Sequence, residues 1–233
     1  MKFFLLLVGS IFLMSSGSVF AKEPEIIFSW QAQTITPSWY EGKAFPSYDS
    51  DIDISFEVVE QNGALKGSLI DISNKEVRWY INDDFVKKEN GLQSVRVRNK
   101  DYPDKTLSVR VSIVDYYDSE LGRSYNINHH ESIPIVAPRV VVDYHKFVPD
   151  VLPSEKLFLS VYPFFFNIDP NALRVSWKVN GKEVPVEADS KYTLNVSIPE
   201  EGVRGRIFPI EISVNQEGGL FSSATFYEQF RIK

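Results

Sequence analysis

Two stretches about a hundred residues apart carry the same pattern, and this duplication restricts the chain to an architecture built twice. Val77-Arg78-Trp79-Tyr80-Ile81-Asn82-Asp83 matches Val175-Ser176-Trp177-Lys178-Val179-Asn180-Gly181 at an offset of 98. Val95/Val97 match Leu194/Val196 at 99, and Val109/Val111/Ile113 match Ile210/Ile212/Val214 at 101. Upstream, Ile54/Phe56/Val58 match Leu157/Leu159/Val161 at 103. A slow drift in offset is what loop insertions between retained strands produce. The period exceeds the ~20–50 residues of a solenoid repeat, so each copy is a whole small domain.

The matched segments alternate apolar and polar residues with a period of two. Ile52, Ile54, Phe56 and Val58 are interleaved with Asp53, Ser55 and Glu57, and Leu107 to Ile113 and Ile210 to Val214 follow the same rule. One face of each strand is buried and the other is wet, the signature of antiparallel sheets. Short strands separated by turns, with no helical periodicity beyond the N-terminal segment, predict an all-β chain of two tandem antiparallel β-sandwiches. Asn82-Asp83 and Asn180-Gly181 directly follow the Trp strands and read as two-residue hairpin turns. Trp79 and Trp177, mid-strand among β-branched residues, are placed to pack against the opposite sheet.

The boundary falls near Ile133-Pro134-Ile135-Val136-Ala137-Pro138, which divides the chain into residues 22–136 and 137–233. The short, proline-bearing join predicts a stiff, elongated pair of modules with limited hinge motion. Trp30 and Tyr144 occupy matching places in the two opening strands. Between the first and second strands, copy one carries about eleven extra residues within 31–50. Trp39, Tyr40, Phe45 and Tyr48 lie in this insertion, the place where the copies differ most.

Residues 1–21 read as an export signal: Lys2, an apolar run from Phe3 to Met14, then Val19 and Ala21 at the −3 and −1 positions of a cleavage site. An uncleaved anchor is the alternative, though the run falls short of the ~20 residues of a comfortable span. The expected location is extracellular, cell-surface or periplasmic, with no membrane insertion after cleavage. The chain has no cysteine. Disulfides, thiolate metal sites and a lipidated cysteine anchor are thereby excluded, and the apolar cores must supply the stability. With Lys2 removed, 24 Lys and Arg stand against 31 Asp and Glu. This acidic balance repels phosphate backbones, so nucleic acid is not an expected partner.

Trp177-Lys178-Val179-Asn180-Gly181 and its counterpart at Trp79 resemble the strand and turn of bacterial Ig-like and PKD-like repeats. Three further runs are similar to uncharacterised two-domain exported proteins of candidate-phylum bacteria. They are Trp30-x-Ala32-x-Thr34-x-x-Pro37-x-Trp39-Tyr40-x-Gly42-Lys43-Ala44, Tyr162-Pro163-Phe164-Phe165 with Asp169-Pro170-Asn171, and Trp177-x-x-Asn180-Gly181-Lys182. The resemblance implies architecture and export, and no activity.

Three constellations bear on chemistry. Asp49, Asp51 and Asp53 supply carboxylates at every second residue and form a candidate calcium set; equally, they mark the wet face of the Ile52–Ile54–Phe56 strand. His129-His130-Glu131 would make a poor chelate, because neighbours on a strand point to opposite faces. Trp39, Tyr40, Phe45 and Tyr48 form a candidate aromatic patch, either an exposed platform for a sugar or protein partner or an extension of the local core. No nucleophile elbow, Ser-x-x-Lys set or phosphate-cradling glycine loop is present. The expectation is an exported, non-enzymatic spacer, adhesion or assembly module that needs no cofactor, with calcium the one candidate. Its partner would be an envelope or surface protein or a glycan. A carbohydrate-binding module using the 31–50 loop is the alternative.

Overall fold

The computed structural model describes residues 23–61, 65–118, 121–144, 150–198, 200, 205–218 and 221–233. The export signal expected at 1–21 and the third histidine, His145, lie outside them. Among the described residues no helix is long and apolar enough to cross a membrane.

The alternating segments form two sandwiches in succession. In the first, β1 (Glu25–Ala32), β2 (Asp51–Val59) and β5 (Ser94–Arg98) make a three-stranded sheet in the order β1-β2-β5. Against it lies a four-stranded sheet, β4 (Asp84–Asn90), β3 (Glu76–Ile81), β6 (Thr106–Asp118) and β7 (Arg123–Pro134), in the order β4-β3-β6-β7. The second sandwich repeats the plan. Its smaller sheet is β13 (Thr193–Ser197), β10 (Lys156–Phe164) and β8 (Arg139–Tyr144). Its larger one is β12 (Lys182–Val184), β11 (Leu173–Val179), β14 (Ile207–Gln216), β15 (Ser223–Ile232) and a two-residue β9 (Asp150–Val151), in that order. Among the described residues every strand pairing is antiparallel except that of β15 with β9.

Burial follows the alternation. On β2, Ile52, Ile54, Phe56 and Val58 are buried while Ser55 and Glu57 are exposed. Each sandwich closes over its own core, centred on Trp79 in the first and Trp177 in the second, both with no solvent exposure. A buried indole needs a partner for its N–H. Trp79 Nε1 donates to the Leu92 carbonyl at 2.9 Å, and Trp177 Nε1 to the Lys191 carbonyl at 3.0 Å. The turns after the Trp strands are two residues long, and Asn82, Asp83, Asn180 and Gly181 all have positive φ, as a type I′ hairpin requires.

One correspondence shifts. Trp30 pairs with Ile54 and Tyr144 with Leu159, while Ile54 pairs with Val95 and Leu159 with Leu194. Ile52/Ile54/Phe56 therefore correspond to Leu157/Leu159/Val161, a slip of two residues from the match read off the alternation. The insertion shrinks accordingly. Trp30 and Ile54 are 24 residues apart and Tyr144 and Leu159 are 15 apart, so copy one carries nine extra residues rather than eleven.

Candidate functional site

The insertion leaves β1 at Ala32 and returns at Asp51, and its two limbs do different work. The return limb is rooted in its own sandwich by a buried polar clasp. Asn99, with no exposure, donates from Nδ2 to the Ser47 carbonyl at 2.8 Å. Ser50 Oγ donates to the same carbonyl at 2.9 Å, and the Ser47 N–H donates to Ser50 Oγ at 3.1 Å. The Asn99 backbone closes the clasp, accepting from the Asp49 N–H and donating to the Ser50 carbonyl. Thr34 Oγ1 ties the two limbs together by donating to the Phe45 carbonyl at 2.9 Å.

The apolar part of the insertion seats on the second sandwich. The Ile35 N–H donates to the Phe166 carbonyl and the Phe165 N–H donates to the Ile35 carbonyl, both at 2.7 Å. The Ile35 side chain packs against the core of the second sandwich. Trp39 meets Tyr162 and Phe164 edge-on with centroids 5.3 and 6.0 Å apart, Tyr40 meets Phe164 at 5.2 Å, and Phe45 meets Phe165 at 5.7 Å. Such edge-to-face pairs set the positive rim of one ring against the negative face of another. The Arg139 guanidinium adds its charge over Phe164 and Phe165, 5.5 and 5.0 Å from their centroids. Phe164, the last residue of β10, and Phe165 just after it are buried as a result, although both lie beyond their own core. Of the four insertion aromatics, Trp39 alone is more than half exposed, at 55%.

A second contact lies beside the first. Tyr48 and Tyr102 stack nearly parallel with centroids 5.7 Å apart, and Phe221 of the second sandwich meets both edge-on at 5.7 and 5.1 Å. Asn167 Nδ2 donates to the Tyr48 carbonyl at 3.0 Å. Behind this triad is a cleft of about 310 Å³ between the sandwiches. The join thus demands unusual backbone. Asp49, Phe165 and Phe221 all have positive φ, at 62°, 64° and 55°. For a residue with a Cβ this left-handed conformation costs about 1–2 kcal/mol, which the surrounding contacts offset.

The aspartates face cations of β5 and Lys100, two residues beyond it. Arg96 Nε and Nη2 hold Asp53 at 2.6 and 3.0 Å, and Gln33 Nε2 donates to it at 2.9 Å. These bonds, Arg96 foremost, hold the Asp53 carboxyl below the usual carboxylate range. Lys100 pairs with Asp49 and lowers its pKa in the same way, and Arg98 Nε lies 3.1 Å from Asp49 and 3.8 Å from Asp51. Among the described residues no three His, Cys, Asp or Glu side chains converge to hold a metal ion. His129 and His130 diverge: His129 stacks on Phe28 at 5.5 Å, and His130 Nε2 lies 2.8 Å from Ser108 Oγ.

Ile35, Asn99, Tyr102 and Phe221 complete the join and carried no motif, and Asn167 joins them from a run that reads as an Asx-turn. The Tyr162–Phe166 run offered a signal, since four aromatic residues within five positions exceed what one face of a strand can bury.

No family model matches the chain, and no curated protein does. Among solved structures it is similar to the fibronectin(III)-like modules of Clostridium thermocellum CbhA. Identity is 15%, over 86% of this chain and 94% of that one, with a TM-score of 0.28. It is similar also to three N-terminal domains of the highly immunogenic outer capsid protein of bacteriophage RB49, at 12% identity over 90% of this chain and 59% of that one, TM-score 0.41. A third similarity is to a bacterial ice-binding adhesin, at 12% identity over 92% of this chain and 66% of that one, TM-score 0.32. The fold is defined by the strand pairing itself: the chain is a tandem of two immunoglobulin-like β-sandwiches with an aromatic insertion of the first seated on the second.

Proposed function

We propose that this protein is an exported, non-enzymatic spacer that serves adhesion or assembly at a cell surface or in an envelope. In this reading its two sandwiches act as one stiff unit, engaging an envelope or surface protein or a glycan. The observation that carries the reading is the seating of Ile35 and the insertion's rings on Phe164, Phe165 and the second core. A join made by a proline-bearing linker alone leaves some hinge freedom. A join that also buries aromatic surface and exchanges backbone hydrogen bonds removes it, because displacement would expose apolar area and strand polar groups. Export rests on the N-terminal signal, and the lack of cysteine is compatible with each expected compartment.

Sugar binding by the insertion itself is the lesser reading. Most of its aromatic surface is committed to Tyr162, Phe164 and Phe165, and only Trp39 presents a largely open ring.

The cysteine-free chain permits a direct test. Lys87→Cys on β4 and Glu183→Cys on β12 place one spin label on each sandwich, at exposed positions. Double electron–electron resonance is expected to give a single narrow distance distribution, broadened by Ile35→Asp. A broad distribution in the otherwise unaltered protein would overturn the proposal.

A further inference from the structure

The cleft behind the Tyr48–Tyr102–Phe221 triad has properties that a mere join does not need. It lies between Tyr48, Asp49 and Lys100 of the first sandwich and Asn167, Gln216 and Glu217 of the second. Its volume, about 310 Å³, stands at the lower end of the ~300–1,000 Å³ typical of small-molecule sites. Two rings that pack on Tyr48 of its wall remain open to solvent: Tyr102 is 54% exposed and Phe221 is 53% exposed. Rings recruited only to glue two domains gain most when covered, since stabilisation scales with the apolar area removed from water.

The polar groups of the cleft narrow the chemistry of what it takes. Its charges are paired. Lys100 is held by Asp49, and Glu217 accepts from Arg174 Nη2 at 2.7 Å. A phosphate or carboxylate ligand would have to break an existing ion pair, and so would a cation. Hydrogen-bonding capacity, by contrast, is unspent: Gln216 Oε1 and Ser222 Oγ are buried there without a partner. Leaving such atoms unpaired costs free energy until a partner supplies the bond. Aromatic faces beside neutral amide and hydroxyl groups suit a ligand with an apolar C–H face and a rim of hydroxyls.

We infer that this cleft between the sandwiches, with Tyr102 and Phe221 as its platform and Gln216 as a polar anchor, binds a neutral saccharide. The ring face stacks on the aromatic rings, and hydroxyls pair with the amide and hydroxyl groups of the wall, whose buried oxygens turn into the cleft to meet them. The site is distinct from the insertion's tip around Trp39. It is also independent of the spacer role, since a rigid join with an empty cleft would give the same spin-label distances.

The test is isothermal titration of the purified protein with four hexasaccharides: β-1,4-linked glucose, β-1,4-linked xylose, α-1,4-linked glucose and β-1,4-linked N-acetylglucosamine. Tyr102→Ala, Phe221→Ala, Gln216→Met and Trp39→Ala are titrated alongside, and the label distance is measured in each. At least one hexasaccharide is expected to bind. Tyr102→Ala and Phe221→Ala should each weaken it about tenfold, the equivalent of ~1.4 kcal/mol. Gln216→Met, which leaves the triad intact, should weaken it as well, and Trp39→Ala should leave it unchanged. If none of the four binds, the inference is wrong. It is equally wrong if binding survives all three cleft variants, or if Trp39→Ala alone abolishes it and so moves the sugar to the insertion's tip.

Discussion

Phe165 packs its ring across the join. Its side chain is 2% exposed, although it lies just past the end of β10 and outside the core of its own sandwich. Its ring meets Tyr40 at 6.5 Å and Phe45 at 5.7 Å across the join, and Phe164 at 5.6 Å on its own side. Phe165→Ala should cost the ~3–5 kcal/mol usual for a buried Phe. The two cross-join ring pairs, at ~0.5–1.5 kcal/mol each, account for roughly 1–3 kcal/mol of that. The backbone sets a second condition. At φ 64°, Ala keeps the left-handed penalty of about 1–2 kcal/mol, whereas Gly escapes it. Glycine ordinarily costs roughly 0.5–1 kcal/mol relative to Ala within an element, through its freer unfolded chain. The balance makes Phe165→Gly more stable than Phe165→Ala by about 0.5–1 kcal/mol, the reverse of the ordinary order. Equilibrium unfolding in urea, followed by tryptophan fluorescence, reads both conditions, because one fully buried indole lies at the centre of each sandwich. A loss below about 1 kcal/mol for Phe165→Ala would show that the ring does not bridge the sandwiches. A glycine variant weaker than the alanine one would refute the argument from backbone strain.

Two more outcomes follow from the cores and the charged face. Trp79→Phe and Trp177→Phe should each destabilise their own sandwich by about 1–3 kcal/mol, because the Leu92 and Lys191 carbonyls lose their donor; urea unfolding that left either unchanged would contradict the equivalence of the two indoles. Asp49 and Asp53 have depressed carboxyl pKa values, through Lys100 and Arg96 respectively. Their stabilisation is therefore fully present above the ordinary value of 3.8 and is lost as pH falls through the lower folded-state values. The melting temperature should drop on acidification below about pH 4, and drop less in Arg96→Ala. Since cations of the chain already face these oxygens, calcium should leave the melting temperature where it is; a rise on adding calcium would return the three aspartates to a metal site.

Some of this was legible because it depends on local periodicity. Alternation placed the buried faces, and Asn-Asp and Asn-Gly placed the hairpins, because few residue pairs tolerate two successive positive φ values. The same periodicity hid the register of the second strand. A shift of two residues keeps every side chain on its face, so Ile54 fits Leu157 as well as Leu159 by pattern, and only the ladder partners Val95 and Leu194 decide. The three aspartates were ambiguous for a related reason. A wet strand face and a metal set have one spelling, and the cations that face these carboxylates, Arg96, Arg98 and Lys100, come from more than forty residues further along the chain.

The residues in order thus determined two all-β copies, the two tryptophan-centred cores and the position of the insertion, because strand burial and turn geometry are properties of neighbours along the chain. Tertiary structure alone decided what the insertion's aromatic residues touch. Trp39, Tyr40 and Phe45 have the same composition whether they face water, their own sandwich or the next one. Burial is settled by which surface arrives, and here it is Phe164 and Phe165, brought from about 120 residues away.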